Sequence, residues 1–418
     1  MWVNKFQLRV QFLYFIITTA LGERQDARST ISNEVGNDNI LHDANGQKPM
    51  REEAHLNDWR LPQLDKGVAV LDVTNNLTKE LGYFIQVGFG TPAQRRHVLL
   101  DTSSLSTYIL SVDCDSCAAA EDNEKGYNSS MSSTHKDNGT LVDLDYRFLQ
   151  SSGRASQDSM NLGQFEIQDQ WFQESLRSQW KGVSYDDVWI IYGILGLGNP
   201  HAGGAAKGFR SPLKNAAIQG HLKTNIYGLK LANPGQLMIG DVNQQLFHGP
   251  IIWFPLENTT TKVILPEAWQ THSDSGGVKF ELPSGEYREW PLDNHTVLFT
   301  TAWPYIYLDS YTGSYLMEAL GFDFDQFMLP PNVPCAERIY MPDVSLTIAG
   351  HTFILSPYDY TIEWKWPGYP MTCVSAFSLF DPEEDDDPKQ IILGSAFLRK
   401  YYSMYDYDAK AVGFAALV

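Results

Sequence analysis

The chain has 418 residues, 43% of them hydrophobic and 13% aromatic, with 31 Lys and Arg against 50 Asp and Glu for a formal net charge of −19. That length fits two domains of ordinary size, and that apolar content fills a core. The acidic balance excludes a nucleic-acid partner, which needs a basic face. It suits a soluble protein that stays charged, or one that works in acid, where carboxylates take up protons.

At the N-terminus, Lys5 and Arg9 precede an apolar run at 12–17, and the small residues Thr18, Thr19, Ala20 and Gly22 follow. Basic, then apolar, then small is the secretory pattern, so residues 1–22 are assigned as a signal peptide. The run is too short to span a bilayer, and no membrane span is expected in the mature chain. Residues 23–66 are polar and charged with no apolar period, and read as a leader or propeptide. From Val68 onward the signals are those of strands. Short apolar or alternating runs at 83–87, 97–100, 108–110, 189–192, 237–239, 251–254, 344–348 and 390–393 are punctuated by Gly and Pro turns. One short helix is expected at 314–320, and the acidic stretch 381–387 reads as a solvated hairpin loop. Many short strands and few helices make the chain all-β.

Four cysteines remain: Cys114, Cys117, Cys335 and Cys373. On a secretory route an even count means two disulfides, and of three connectivities the pairing Cys114–Cys117 with Cys335–Cys373 is the economical one. A zinc site is the rival reading, but the two pairs are far apart in sequence and no His pair accompanies them. Sequons at Asn76, Asn128, Asn138, Asn258 and Asn294 fit a glycoprotein on that route.

The strongest local word is Val98-Leu99-Leu100-Asp101-Thr102-Ser103-Ser104, an apolar strand that delivers a carboxylate into a turn of small hydroxylated residues. Just before it stands Gly90-Thr91-Pro92-Ala93-Gln94. Further on come Tyr146-Arg147-Phe148-Leu149, Gly193-Ile194-Leu195-Gly196-Leu197-Gly198, Gly235-Gln236-Leu237-Met238-Ile239-Gly240, Ile392-Leu393-Gly394-Ser395 and Val412-Gly413-Phe414-Ala415. In this order the words resemble the pepsin-like aspartic proteases over almost the whole chain after residue 68. The resemblance implies a bilobal fold, with an N-terminal lobe at 67–245, a C-terminal lobe at 246–418 and the active-site cleft between them. It implies a flap carrying Tyr146 supported by Tyr108, and a Cys335–Cys373 disulfide in the second lobe. It also implies a peptide or protein substrate in the cleft, no cofactor and no metal, a monomer, and secretion to the exterior or to an acidic lumen.

The family uses two carboxylates that share one proton. One acts as general base for a water, and the other hydrogen-bonds the scissile carbonyl. Asp101 is the first. For the second, Asp274-Ser275-Gly276 matches the family tripeptide but follows a polar run, and is assigned to a surface loop of an insertion between Asn258 and Thr300. Asp309-Ser310-Tyr311-Thr312 follows an apolar strand and precedes the expected helix, so Asp309 is chosen. Thr102 and Ser310 are then expected to brace the two turns, with Ser104 and Thr312 hydrogen-bonded to the carboxylates. Ser103 and Tyr311 replace glycines of the family pattern, Tyr311 threatens to fill the cleft, and the flap tip lacks its glycines. The expectation is a secreted aspartic-type endopeptidase working through Asp101 and Asp309. The alternative is a catalytically inactive relative that binds peptides or proteins.

Overall fold

The computed structural model describes residues 66–75, 82–114, 117, 126–146, 148–180, 191–202, 210–257, 263–282, 284–324, 331–365, 371–382 and 389–418. The expected signal and leader up to residue 65, Asn76, Asn258 and most of the acidic stretch 381–387 lie outside these residues, as does the side chain of Asn138. Strands dominate what is described, and its α-helices are Pro212–Ile218, Ser310–Ala319 and Ser395–Leu398.

The expected strands form where apolar residues alternate or run unbroken into a core. The run 237–239 lies in Gly235–Ile239 with the burial alternation of a half-covered sheet, and 390–393 is the fully buried strand Gln390–Leu393. The run 189–192 departs from expectation: Ile191 and Tyr192, its described members, are not strand. The expected helix begins earlier, at Ser310, because the Asp309 side chain accepts the Thr312 backbone N–H and caps it. The region between Asn258 and Thr300 is no loose insertion. It supplies the strands Trp269–Ser273, Gly276–Glu281, Tyr287–Pro291 and His295–Phe299 of the second lobe.

The two lobes repeat one arrangement. In the first, Gln94–Asp101 runs parallel to Gly193–Gly196 with Asp101 opposite Gly196, and Tyr108–Leu110 returns antiparallel with Tyr108 opposite Ile194. In the second, His295–Phe299 runs parallel to Gln390–Leu393 with Phe299 opposite Leu393, and Ile306–Leu308 returns antiparallel with Tyr307 opposite Ile392. The first central strand ends in Gly196 and the second is followed by Gly394, because the loop that leads into the return strand passes close to each. A Cβ on Gly196 would lie 2.6 Å from the Ser106 carbonyl oxygen, and one on Gly394 would collide with the Trp303 carbonyl.

A six-stranded sheet joins the halves, in the order Ala69–Val73, Gly235–Ile239, Ile226–Lys230, Tyr401–Asp406, Ala411–Leu417, Phe247–Pro255. Above it lies a fully buried aromatic cluster. Tyr227 stacks on Tyr405 at 4.5 Å and Trp269 on Tyr407 at 5.3 Å. Trp269 Nε1 and the Tyr227 hydroxyl both donate to the Leu197 carbonyl, at 2.9 and 2.8 Å. Tyr and Trp bury large apolar area but need a partner for their polar atom, and here one carbonyl serves two. This floor fixes the Gly193–Gly196 strand, and with it the Asp101 turn.

Disulfides join Cys114 to Cys117 and Cys335 to Cys373. The economical pairing therefore holds, and the sulfurs are spent on covalent bonds rather than on zinc.

Candidate active-site cleft

Asp101 closes its strand and is only 2% exposed. The turn after it is shaped by its own carboxylate: Oδ1 accepts the Ser103 backbone N–H at 2.7 Å and the Ser103 hydroxyl at 2.5 Å. Ser103 thus donates where the family pattern has glycine. Burial pushes the Asp101 carboxyl up to about 6, and the nearby Glu267 carboxylate adds to the rise, while the Ser103 and Ser104 hydrogen bonds oppose it.

The residues that meet this turn from the second lobe are Phe299, Thr300 and Thr301. Thr102 N–H donates to Thr301 Oγ1 at 3.2 Å, and Thr301 N–H donates to Thr102 Oγ1 at 3.1 Å. The two hydroxyls then donate across the lobes, Thr102 to the Phe299 carbonyl at 3.3 Å and Thr301 to the Leu100 carbonyl at 2.6 Å. The pattern is its own mirror image, so Thr301 is the counterpart of Thr102 and Thr300 that of Asp101. Strand register gives the same answer, since Thr300 follows Phe299, which pairs with Leu393 just before Gly394. The Thr300 hydroxyl donates to Ser103 Oγ at 3.0 Å. The position facing Asp101 therefore holds a neutral hydroxyl.

Asp309 is not there. It follows Ile306–Leu308, which runs antiparallel to Gln390–Leu393 and so leads away from Thr300. Tyr307 pairs with Ile392 and Thr296 with Gln390, so Asp309 is level with Thr296. Four strand residues separate that level from Thr300, about 13 Å, too far for two carboxylates to share a proton. Its role is the helix cap already described. The expectations that followed from it fall as well. Ser310 does not brace Thr102; its backbone N–H donates to Asp381 Oδ1 at 2.8 Å and its hydroxyl to Asp381 Oδ2. The Thr312 backbone N–H does reach the Asp309 carboxylate, at 2.9 Å, but as a cap bond. Tyr311 is 68% exposed and packs on Tyr315 at 4.7 Å, on the solvent side of the helix, so it fills no cleft. Asp274 stands on a surface turn, with His272 Nε2 3.1 Å from its Oδ1.

Over Asp101 lies the hairpin Lys136–Asp145 with Leu149–Leu162, whose tip folds by Tyr146 and Leu149 pairing at 2.9 Å. Tyr146 packs 5.5 Å from the Tyr108 ring and donates its hydroxyl to the Ser106 carbonyl at 3.2 Å. The expected flap pair thus meets, with both rings buried. The Ser104 hydroxyl does not donate to Asp101. It faces Glu267 Oε2 at 3.4 Å, and the Leu105 N–H donates to the same oxygen at 2.7 Å. Glu267 had no signal in the sequence. It comes from the second lobe, and burial raises its carboxyl above the ordinary value, against those hydrogen bonds.

Asp101, Glu267, Tyr146 and the segment 264–266 line one cavity of about 410 Å³. None of the described residues groups three His, Cys, Asp or Glu in a way that would hold a metal. Of the sequons, Asn294 is exposed and adopts a left-handed φ of 56°, while the Asn128 side chain caps the turn Ser129–Met131.

Comparison with known proteins matches this architecture. The chain is 31% identical over 349 residues to vacuolar protease A of Neurospora crassa, covering 82% of this chain and 80% of that protein. It is 31% identical to the vacuolar aspartic protease of Candida albicans, over 82% of this chain and 76% of that one. To cathepsin D of Dictyostelium discoideum it is 28% identical, over 80% of this chain and 83% of that one. The family profile described as eukaryotic aspartyl protease matches residues 82–417. With this match laid over the mirrored turns, the flap and the disulfides, the chain belongs to the eukaryotic aspartyl protease family, the pepsin-like proteases.

Proposed function

We propose that this protein holds peptides in its cleft without hydrolysing them by the paired-aspartate route. One observation carries the reading: Thr300, not a second aspartate, is the counterpart of Asp101. The route needs two carboxylates sharing a proton, one to take a proton from water and one to give a proton to the carbonyl oxygen. A threonine hydroxyl neither ionises nor protonates in the working range, so Asp101 is left with half of the mechanism. What binding needs is retained: the cavity, the flap with Tyr146, and the bracing of the two turns. The endopeptidase reading through Asp101 and Asp309 loses its second carboxylate, because Asp309 caps a helix away from the cleft.

The test has two arms. Denatured globin is incubated with the protein across acid pH, with and without pepstatin, and peptide binding is followed in parallel by fluorescence anisotropy. The expected result is binding without pepstatin-sensitive cleavage. Cleavage that pepstatin blocks and Asp101→Ala abolishes would overturn the reading.

We place the protein on the secretory route, as a monomer with lobes at 67–245 and 246–418. The basic-apolar-small N-terminus, two disulfides and relatives named vacuolar support passage to an acidic lumen or to the exterior. N-terminal sequencing and endoglycosidase treatment of the expressed product test cleavage near residue 22 and use of the sequons.

A further inference from the structure

This inference rests on the peptide-binding reading and names the class of peptide. We propose that the cleft selects peptides carrying a cationic side chain, Lys or Arg, received between Asp101 and Glu267. The two carboxylates reach the cavity from opposite lobes and cap the same turn. Asp101 is held by Ser103 from within it, and Glu267 is held by the Leu105 N–H at its far end. In an ordinary pair a second aspartate would share a proton with Asp101. With Thr300 in that place, the carboxylate that presses on Asp101 is Glu267.

Asp101 is 2% exposed, and among the described residues lining the cavity none is Lys, Arg or His. Buried charge is stable when paired, so a ligand ammonium or guanidinium would satisfy two anions at once. The remaining wall suits the stem of such a side chain. Leu144, Tyr146, Ile264 and Leu265 line the same cavity, and the methylenes of Lys and Arg pack on apolar surface while the head seeks charge. A neutral apolar side chain would fit that wall but leave both carboxylates desolvated.

Acid should weaken the preference. The charged groups facing the pair are Asp143 and Asp145 on the flap hairpin, and the buried phenols of Tyr108 and Tyr146 stay neutral. Burial raises both carboxyls, Asp101 to about 6, so protonation below that pH removes the anion that attracts the cation.

The experiment uses the full protein and acetylated, amidated octapeptides of alternating Ala and Leu. Each position in turn carries Arg, norleucine or Glu, and affinity is measured by calorimetry at pH 7.5 and 4.5. At one or two positions Arg should bind at least about tenfold tighter than norleucine at pH 7.5, with Glu weakest, and the ratio should shrink at pH 4.5. Glu267→Gln, which keeps an oxygen for the Leu105 N–H, should collapse the ratio of Arg to norleucine binding. Asp274→Asn, on the surface, should change nothing. Equal binding of Arg and norleucine peptides by the wild type, a comparison that needs no variant, overturns the proposal and leaves the peptide-binding reading intact. So does an unchanged ratio in a folded Glu267→Gln protein. If no peptide binds at either pH, the peptide-binding reading itself fails and the proposal falls with it.

Discussion

Thr102 and Thr301, 199 residues apart, each donate a backbone N–H to the other's hydroxyl oxygen, at 3.2 and 3.1 Å, and both are fully buried. Thr301→Val removes one acceptor and leaves the Thr102 N–H unpaired in a dry site. The expected loss is about 1–3 kcal/mol of unfolding free energy. The singles break different hydrogen bonds of one contact between the two turns, and turns already loosened by the first change lose less to the second, so the double variant Thr102→Val/Thr301→Val should lose less than the sum of the singles. Urea unfolding of the three variants measures both, and strict additivity would mean that the two residues act independently.

Thr300 decides the chemistry. Thr300→Asp together with Ala302→Gly restores the family word at the mirrored turn and sets a second carboxylate opposite Asp101. Pepstatin-sensitive cleavage of denatured globin at acid pH should then rise by roughly a hundredfold or more over the wild type, the usual contribution of a general acid or base. If a folded double variant cleaves no better than the wild type, the missing carboxylate is not what silences the site.

Asp101 also makes stability depend on pH. Its folded value of about 6 lies above the ordinary carboxyl value of about 3.9, so between the two the folded state holds more protons than the unfolded. Stability is therefore full below about pH 4 and is lost as pH rises through about 6. The raised Glu267 carboxyl acts in the same direction. Asp101→Asn, which keeps an oxygen for Ser103, removes the larger part. It should stabilise the protein at pH 7 by on the order of 3 kcal/mol and leave pH 3.5 nearly unchanged. Melting temperatures from pH 3.5 to 7.5 check this, and a wild type and variant with parallel curves would contradict it.

Asp309 belongs to folding. Asp309→Ala removes the cap of Ser310–Ala319 and should cost about 0.5–2 kcal/mol. It should leave peptide affinity in the cleft unaltered. Calorimetry on the variant checks both, and weakened peptide binding by a fully folded protein would return Asp309 to the site.

Much of this was legible along the chain because the words are local. The strand into Asp101, the glycine-ended strand Gly193–Gly196, the flap tyrosine and the cysteine pairing each follow from a few neighbouring residues. Asp309 was misread for the same reason. An apolar strand, then Asp-Ser-x-Thr, then a helix describes a catalytic turn and a helix cap equally well. A signal for the right residue did exist: Asp101 precedes Tyr108 as Thr300 precedes Tyr307, and Gly-Ile-Leu-Gly in one lobe answers Ile-Ile-Leu-Gly in the other. A search for a second carboxylate passes over it, because Thr300 has none.

By itself the sequence determined the family, the all-β class and Asp101, since strand period, turn chemistry and short motifs are properties of adjacent residues. Tertiary structure decided what faces Asp101. That pairing is set by the register of strands 200 residues apart and by two threonines exchanging hydrogen bonds across the lobes. It also brought Glu267 to the cavity, from a segment whose local sequence carries no mark of a site. Long-range packing chose Thr300 and Glu267 as the neighbours of Asp101, and with them the electrostatics of the cleft.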